Sequence, residues 1–137
     1  MYKIQGSTSS EEGEKEVSAI DLDSHADSPV VRKHAHILRK TGRRVKVSGF
    51  TDQLGEPIHV DVVDAAMVYD CEFSGDSFVM IIRNALYLKQ METALIPPFM
   101  MRIAGIEIDE WPKFLARKPS IKNHSIYFPD ENIRIPI

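Results

Sequence analysis

The residue types best suited to chemistry lie in one short polar segment, residues 23–27, with the sequence DSHAD. The segment follows a short apolar stretch, so Asp23 stands where the pattern of a strand breaks into a polar turn. Two carboxylates that face each other across one water molecule cannot both ionise, so they share a proton. One then acts as a base toward the water, and the other acts as an acid toward a carbonyl group.

Ser24 directly follows that carboxylate, where a hydroxyl group can hydrogen-bond across such a pair and fix its geometry. The sequence holds one Asp-Ser segment in this setting. A complete pair of carboxylates would therefore require two chains related by a two-fold axis.

A metal site, and with it a small metal-dependent hydrolase, is the alternative chemistry for the same segment. Carboxylate and imidazole groups occur there at every second position, in Asp21, Asp23, His25 and Asp27, and His34 and His36 follow. On a regular strand such residues share one face, and these ligands suit zinc or a hard divalent ion. The chain has no HExxH motif and no paired cysteines, and the alternation fails if it turns at Ser24. We therefore favour the shared proton and expect neither metal nor cofactor.

The elements that must position this segment are mainly β. Four runs have the alternation or the composition of strands: 43–47, 58–62, 67–73 and 78–88. Residues 74–77 (SGDS) predict a turn, and residues 49–57 have the composition of a loop. Residues 30–41 fit either one amphipathic helix that ends at Gly42 or a strand followed by a loop.

The last third of the chain predicts a short helix and a closing hairpin. Residues 98–104 start with a proline and stop before Gly105, as a helix does, and 106–108 return to a strand. Residues 125–128 and 133–137 flank a turn and predict the hairpin. Four apolar residues are expected to pack this helix on the core: Phe99, Met100, Met101 and Ile103. Trp111 is expected to lie as a cap over the core.

Length and composition fit one soluble domain, because 137 residues with 43% hydrophobic residues can bury a sizeable core. We assign residues 1–16 to a disordered acidic lead-in, 17–108 to the folded domain and 109–137 to a C-terminal extension. The lone Cys71 fits a reducing compartment. The sequence has neither a signal-like apolar stretch nor a membrane-length apolar run, so we expect a cytoplasmic protein without a membrane partner.

Three segments, in order, resemble the retropepsin-like aspartic protease domain of copia-type retrotransposon polyproteins. Residues 20–27 (IDLDSHAD) are similar to the strand followed by D-[ST]-G-A-[DS], and 84–88 (NALYL) to the "nVLYVP" strand. Residues 94–97 (ALIP) with 101–108 (MRIAGIEI) resemble "NLLS…qL…Gy.v". The tail, 125–137, also looks like the ends of such segments.

The resemblance implies an all-β, retropepsin-like closed β-barrel with one lobe per chain and a flap near 49–57. It implies a homodimer in which Asp23 of each copy forms the catalytic pair and cleaves the parent polyprotein without a cofactor. Ser24 would form the hydroxyl grip between subunits, and Asp27 would hold the substrate backbone. The protein would be located inside the cell, including within particles that the retrotransposon encodes.

Two positions depart from the family pattern. His25 stands where the pattern has Gly, close to the substrate backbone, and Pro97 stands where a small Gly or Ser usually ends the second apolar loop. These departures favour the alternative of a catalytically inactive, protease-derived domain that dimerises or binds peptide.

A basic stretch without acidic residues follows the acidic segment. Its cations are Arg32, Lys33, Arg39, Lys40, Arg43, Arg44 and Lys46. Contact with the phosphate backbone of a nucleic acid is one interpretation, and a solvated face that offsets the acidic lead-in is the other. The sequence alone favours the solvated face, because no aromatic residues interleave to stack on bases.

Overall fold

The computed structural model describes residues 2–4, 20–48, 56–71 and 74–137. The predicted loop 49–57 lies outside the described residues except for its last two positions. The predicted lead-in also lies outside them, apart from Tyr2–Ile4, which form a strand.

Within these residues the chain forms ten strands, one α-helix and one short 3₁₀ helix. The strands of the larger sheet are β1 (Tyr2–Ile4), β2 (Ile20–Leu22), β3 (Val30–Val31), β4 (His36–Val47), β5 (Ile58–Asp70), β6 (Ser77–Tyr87) and β7 (Ala94–Ile96). Helix α1 (Pro98–Ile103) and the 3₁₀ helix (Lys113–Leu115) follow. The strands of the smaller sheet are β8 (Glu107–Asp109), β9 (Ser125–Phe128) and β10 (Ile133–Pro136).

The larger sheet has the order β2-β7-β3-β6-β5-β4, and β1 also pairs with β6. Strands β4, β5 and β6 form an antiparallel meander. Residues 30–41, which the sequence left open between helix and strand, contain β3 and the first half of β4. Tertiary pairing explains this outcome, because β4 lies along β5 over most of its length and a surface helix would lose that ladder.

Strands β2, β7 and β3 bring together residues far apart in the sequence. Leu22 of β2 pairs in parallel with Ile96, and Val30 of β3 pairs antiparallel with Leu95. Strand β7 therefore lies between β2 and β3, and the loop 23–29 must cross its end. Val30 and Val31 are fully buried, so this short strand is fixed in the core.

The core consists of two apolar clusters. The larger one contains Val63, Ala65 and Met67 of β5, which are joined by Met101 of α1 and Phe128 of β9. The smaller one contains Val60 and Val62 of β5, together with Leu88, which directly follows β6. Alternate residues of β5 thus contribute to different clusters, because successive side chains of a strand point to opposite faces.

The predicted helix and closing hairpin are confirmed by α1 and by the antiparallel pair β9–β10. The predicted packing is only partly right. Met101 is buried, but Phe99, Ile103 and Trp111 are exposed. A helix of six residues turns one stripe to the core, so these neighbours cannot all be buried.

The class is mainly β, as predicted. In the described strands, β2 and β4 are the two ends of an open sheet, and no pairing between them closes a barrel. Among the described helices, none is long and apolar enough to cross a membrane.

Candidate active site

Asp23 is the first residue after β2. Its backbone N–H donates to the carbonyl oxygen of Ile96 over 3.1 Å, so it is held one step beyond the β2–β7 ladder. The position of this carboxylate therefore depends on two segments that are more than seventy residues apart in the sequence.

The chain turns sharply at residues 23–26. The backbone N–H of His25 donates to Asp23 Oδ1 over 2.9 Å, and the backbone N–H of Ala26 donates to the Asp23 carbonyl oxygen over 3.3 Å. This is the Asx-type turn that aspartate commonly forms. Ala26 is buried and anchors the turn on the protein, while Ser24 and His25 are exposed.

The turn leaves the carboxylate accessible. The side chain of Asp23 is 36% exposed, and that of His25 is 96% exposed. His25 Nδ1 lies 3.8 Å from Asp23 Oδ1 and 3.4 Å from Ser24 Oγ. Asp27 is also exposed. A second copy of the chain or a peptide can thus approach the acidic turn, which we define as residues 23–27.

The geometry does not favour the metal alternative. Strand β2 ends at Leu22, so the every-second-residue alternation from Asp21 stops before it can place four ligands on one face. His34 lies just before β4 and His36 is its first residue, and both are exposed. In the part of the chain that the structure describes, no three His, Cys, Asp or Glu side chains lie close enough to hold a metal ion.

Two of the segments that carry the family resemblance, on β2 and β7, are neighbours in the sheet, and β3 separates them from the third on β6. Val31 pairs with Tyr87 of the 84–88 segment, and Leu22 pairs with Ile96 of the 94–97 segment. The backbone of Leu88 donates to the carbonyl oxygen of Val31 over 3.0 Å. The acidic turn, the β6 end and the β7–α1 junction therefore form one structural unit.

A cavity of about 460 Å³ lies between β6, α1 and the closing hairpin, and its lining extends to Pro29 and Ile96 beside the acidic turn. Its lining includes Met80, Met101 and Phe128, with Arg83 and Glu131 among the charged residues. No residue of the acidic turn lines it. The candidate site is therefore defined by the accessible Asp23 carboxylate, and the cavity adjoins it through Ile96, whose carbonyl oxygen accepts the Asp23 N–H.

Sequence reasoning missed a buried carboxylate, Asp64, which is only 3% exposed. The backbone N–H of Asn84 donates to one oxygen over 3.0 Å, and the guanidinium of Arg39 donates twice to the other. Arg83 Nη1 lies 3.7 Å from Asp64 Oδ2. The Asn84 hydrogen bond and then the Arg39 hydrogen bond hold the pKa of Asp64 below its ordinary value.

The surroundings of Asp64 indicate a structural role. It lies where the β5–β6 register shifts, between Val63 and Ala65, and Asn84 opposite has a left-handed φ of 53°. The sequence signal for this buried carboxylate is that Asp64 is the one charged residue in the otherwise apolar run 62–68.

Comparison of the chain with protein-family models, with curated proteins and with solved structures found no match.

Proposed function

We propose that this chain is one half of a retropepsin-like aspartic endopeptidase, and that a second copy completes its active site. The observation that carries the proposal is the position of Asp23, at the end of β2 in a tight, partly exposed turn. Additional support comes from the pairing of β2 with β7 and of β3 with β6, which places the three resembling segments within four successive strands of one sheet.

In the proposed reaction, the Asp23 carboxylates of the two copies hold one water molecule and share one proton. The ionised carboxylate takes a proton from the water while the oxygen attacks the peptide carbonyl carbon. The protonated carboxyl gives its proton to the carbonyl oxygen, which produces a neutral tetrahedral diol. Transfer of a proton to the amide nitrogen then lets the C–N bond break, releasing an acid and an amine.

The substrate class is an extended polypeptide. Under this proposal, the natural substrate is the retrotransposon polyprotein from which the chain derives. Such a chain would lie across the two turns as an added strand, held by main-chain hydrogen bonds. Ser24 would bridge the two copies and Asp27 would hold substrate backbone. A closed barrel in the assembled lobe and a cytoplasmic location belong to the same proposal.

Cleavage of a peptide that spans a polyprotein junction tests the function. Asp23→Asn should reduce cleavage by at least about a thousandfold, because the amide cannot share the proton, while the fold persists. Asp21→Asn is the matched control, since Asp21 is exposed and lies two residues earlier, on β2. It should retain cleavage near the wild-type rate at mildly acidic pH. Cleavage by Asp23→Asn at the wild-type rate would refute the proposal.

A catalytically inactive peptide-binding domain is the second candidate. It is favoured by His25, which occupies the usual Gly position, and by Pro97, which is buried where a small residue is usual. Under this function, labelled peptide would bind equally to wild type and to Asp23→Asn, and neither would cleave it. Pepstatin-sensitive cleavage by wild type alone would reject this candidate.

A further inference from the structure

The basic stretch forms a surface along β4 that the proposed protease chemistry does not use. We call it the basic edge, and its members are Arg39, Lys40, Arg43, Arg44 and Lys46, all of them exposed. Strand β4 is the last strand in the sheet order, so among the described strands it pairs only with β5. Arg32 is buried and donates to the Glu92 carbonyl oxygen, so it lies outside this surface.

The basic edge carries an excess of positive charge. Lys40 and Arg44 contact Asp61 over 3.7 Å and 3.3 Å, and Arg39 contacts Asp64 over 3.0 Å. Five cations therefore face two carboxylates. The side chains of Lys40 and Arg44 remain 71% and 62% exposed, so these ion pairs lie in solvent and are weak.

Two members of the basic edge, Arg43 and Lys46, form no ion pair with any described residue. The chain as a whole has a net charge of −3, so this positive surface is a local feature. A local excess of positive charge attracts a polyanion despite the overall sign of the protein.

The geometry of β4 disfavours an added peptide strand as the partner. Its pairing with β5 shifts register between Ile37 and Arg39 and again between Lys40 and Arg44. Such irregularities twist an edge and interrupt the regular row of backbone groups that a new strand requires. Contact through the long cationic side chains remains favourable.

We propose that the basic edge binds the phosphodiester backbone of a nucleic acid without sequence preference. Three of its five cations are arginines, whose planar guanidinium matches phosphate oxygens. The twelve residues of β4 contain no Phe, Tyr or Trp to stack on bases, so binding depends mainly on charge and weakens steeply with salt. The sequence alone favoured a solvated face, and the collection of these cations along one open edge changes that interpretation.

The test measures binding of the full chain to labelled nucleic acid by fluorescence anisotropy. The probes are a single-stranded RNA of about 20 nucleotides and a DNA duplex of about 20 base pairs, titrated from about 50 to 200 mM salt. The double variant Arg43→Gln/Lys46→Gln removes two cations that form no ion pair within the described part of the chain. Lys118→Gln/Lys122→Gln is the control, with the same change of charge at exposed sites in the C-terminal extension.

We expect the Arg43→Gln/Lys46→Gln variant to bind about tenfold more weakly and its salt slope to fall by about 1.5. The control should bind as wild type does. Tighter binding of RNA or of DNA identifies the natural partner, and either supports the proposal. An equal loss in both double variants, no binding by wild type at about 50 mM salt, or equal competition by polyglutamate of matched charge would each overturn it.

Discussion

Asp23 lies at the surface in a turn that its own side chain helps to form. One carboxylate oxygen accepts the backbone N–H of His25, which fixes the orientation of the group before any partner arrives. This preorganisation suits the pairing of two Asp23 carboxylates across one water molecule that we propose. His25 points into solvent, so it does not obstruct the carboxylate within its own chain.

Asp64 illustrates a carboxylate with the opposite environment. It is buried and receives hydrogen bonds from Asn84 and Arg39, whereas Asp23 is partly exposed. These donors stabilise the ionised form of Asp64 and lower its pKa. A lone aspartate within a strand can thus be a structural member of the sheet.

The environment of Asp64 predicts a pH dependence of stability. Because its pKa is lowered in the folded state, its contribution is complete above the unfolded value of about 3.9. That contribution disappears as the pH falls through the folded value. Melting temperatures from pH 7 down to pH 3 should show wild type above Asp64→Asn at neutral pH, with the difference shrinking on acidification. A constant difference across this range would contradict the assignment.

The end of helix α1 shows how one glycine closes an element. Gly105 has a φ of 82°, and its N–H donates to the Arg102 carbonyl oxygen over 3.0 Å. The N–H of Ile106 donates to the Met101 carbonyl oxygen over 3.0 Å. These two bonds form a Schellman motif, which directs the chain from α1 into β8.

Substitution at Gly105 should test this role of the backbone. Gly105→Ala should lower the free energy of unfolding by about 1 kcal/mol, because a Cβ disfavours the left-handed conformation. Beyond its chain neighbours, no described atom lies within 4 Å of the place that a Cβ would take, so a clash is not the cause. Gly105→Asn should cost less, because asparagine tolerates positive φ. Equal losses in denaturant unfolding would show that the left-handed conformation is not responsible.

The sequence predicted the elements whose signals are local. The alternation in 43–47 and 58–62, the Pro and Gly bounds of α1 and the turn before the last strand all correspond to the observed elements. It did not decide between helix and strand for 30–41, because that choice depends on pairing with β5 and β6. Burial of Arg32 and exposure of Trp111 likewise depend on tertiary contacts.

The candidate site was predictable in part. The position of Asp23 after a strand followed from the pattern, and β2 ends where the prediction placed the turn. The contact between the turn and β7 required a pairing across more than seventy residues, which no local rule supplies.

The two surfaces of interest lie at opposite ends of the larger sheet. The acidic turn follows β2, the first strand in the sheet order, and the basic edge lies on β4, the last. If two copies meet at their acidic turns as we propose, the basic edge lies on the strand at the other end of the sheet order. We expect pairing of two copies and binding of a nucleic acid to be compatible.

Mixing wild type with Asp23→Asn tests the central claim, that two copies share one site, most directly. At equal amounts, with free exchange of subunits, only about a quarter of the dimers carry two wild-type copies. Cleavage should therefore fall to about a quarter of the rate of wild type at the same total concentration. A site contained within one chain would instead retain about half of that rate, and this result would contradict the account.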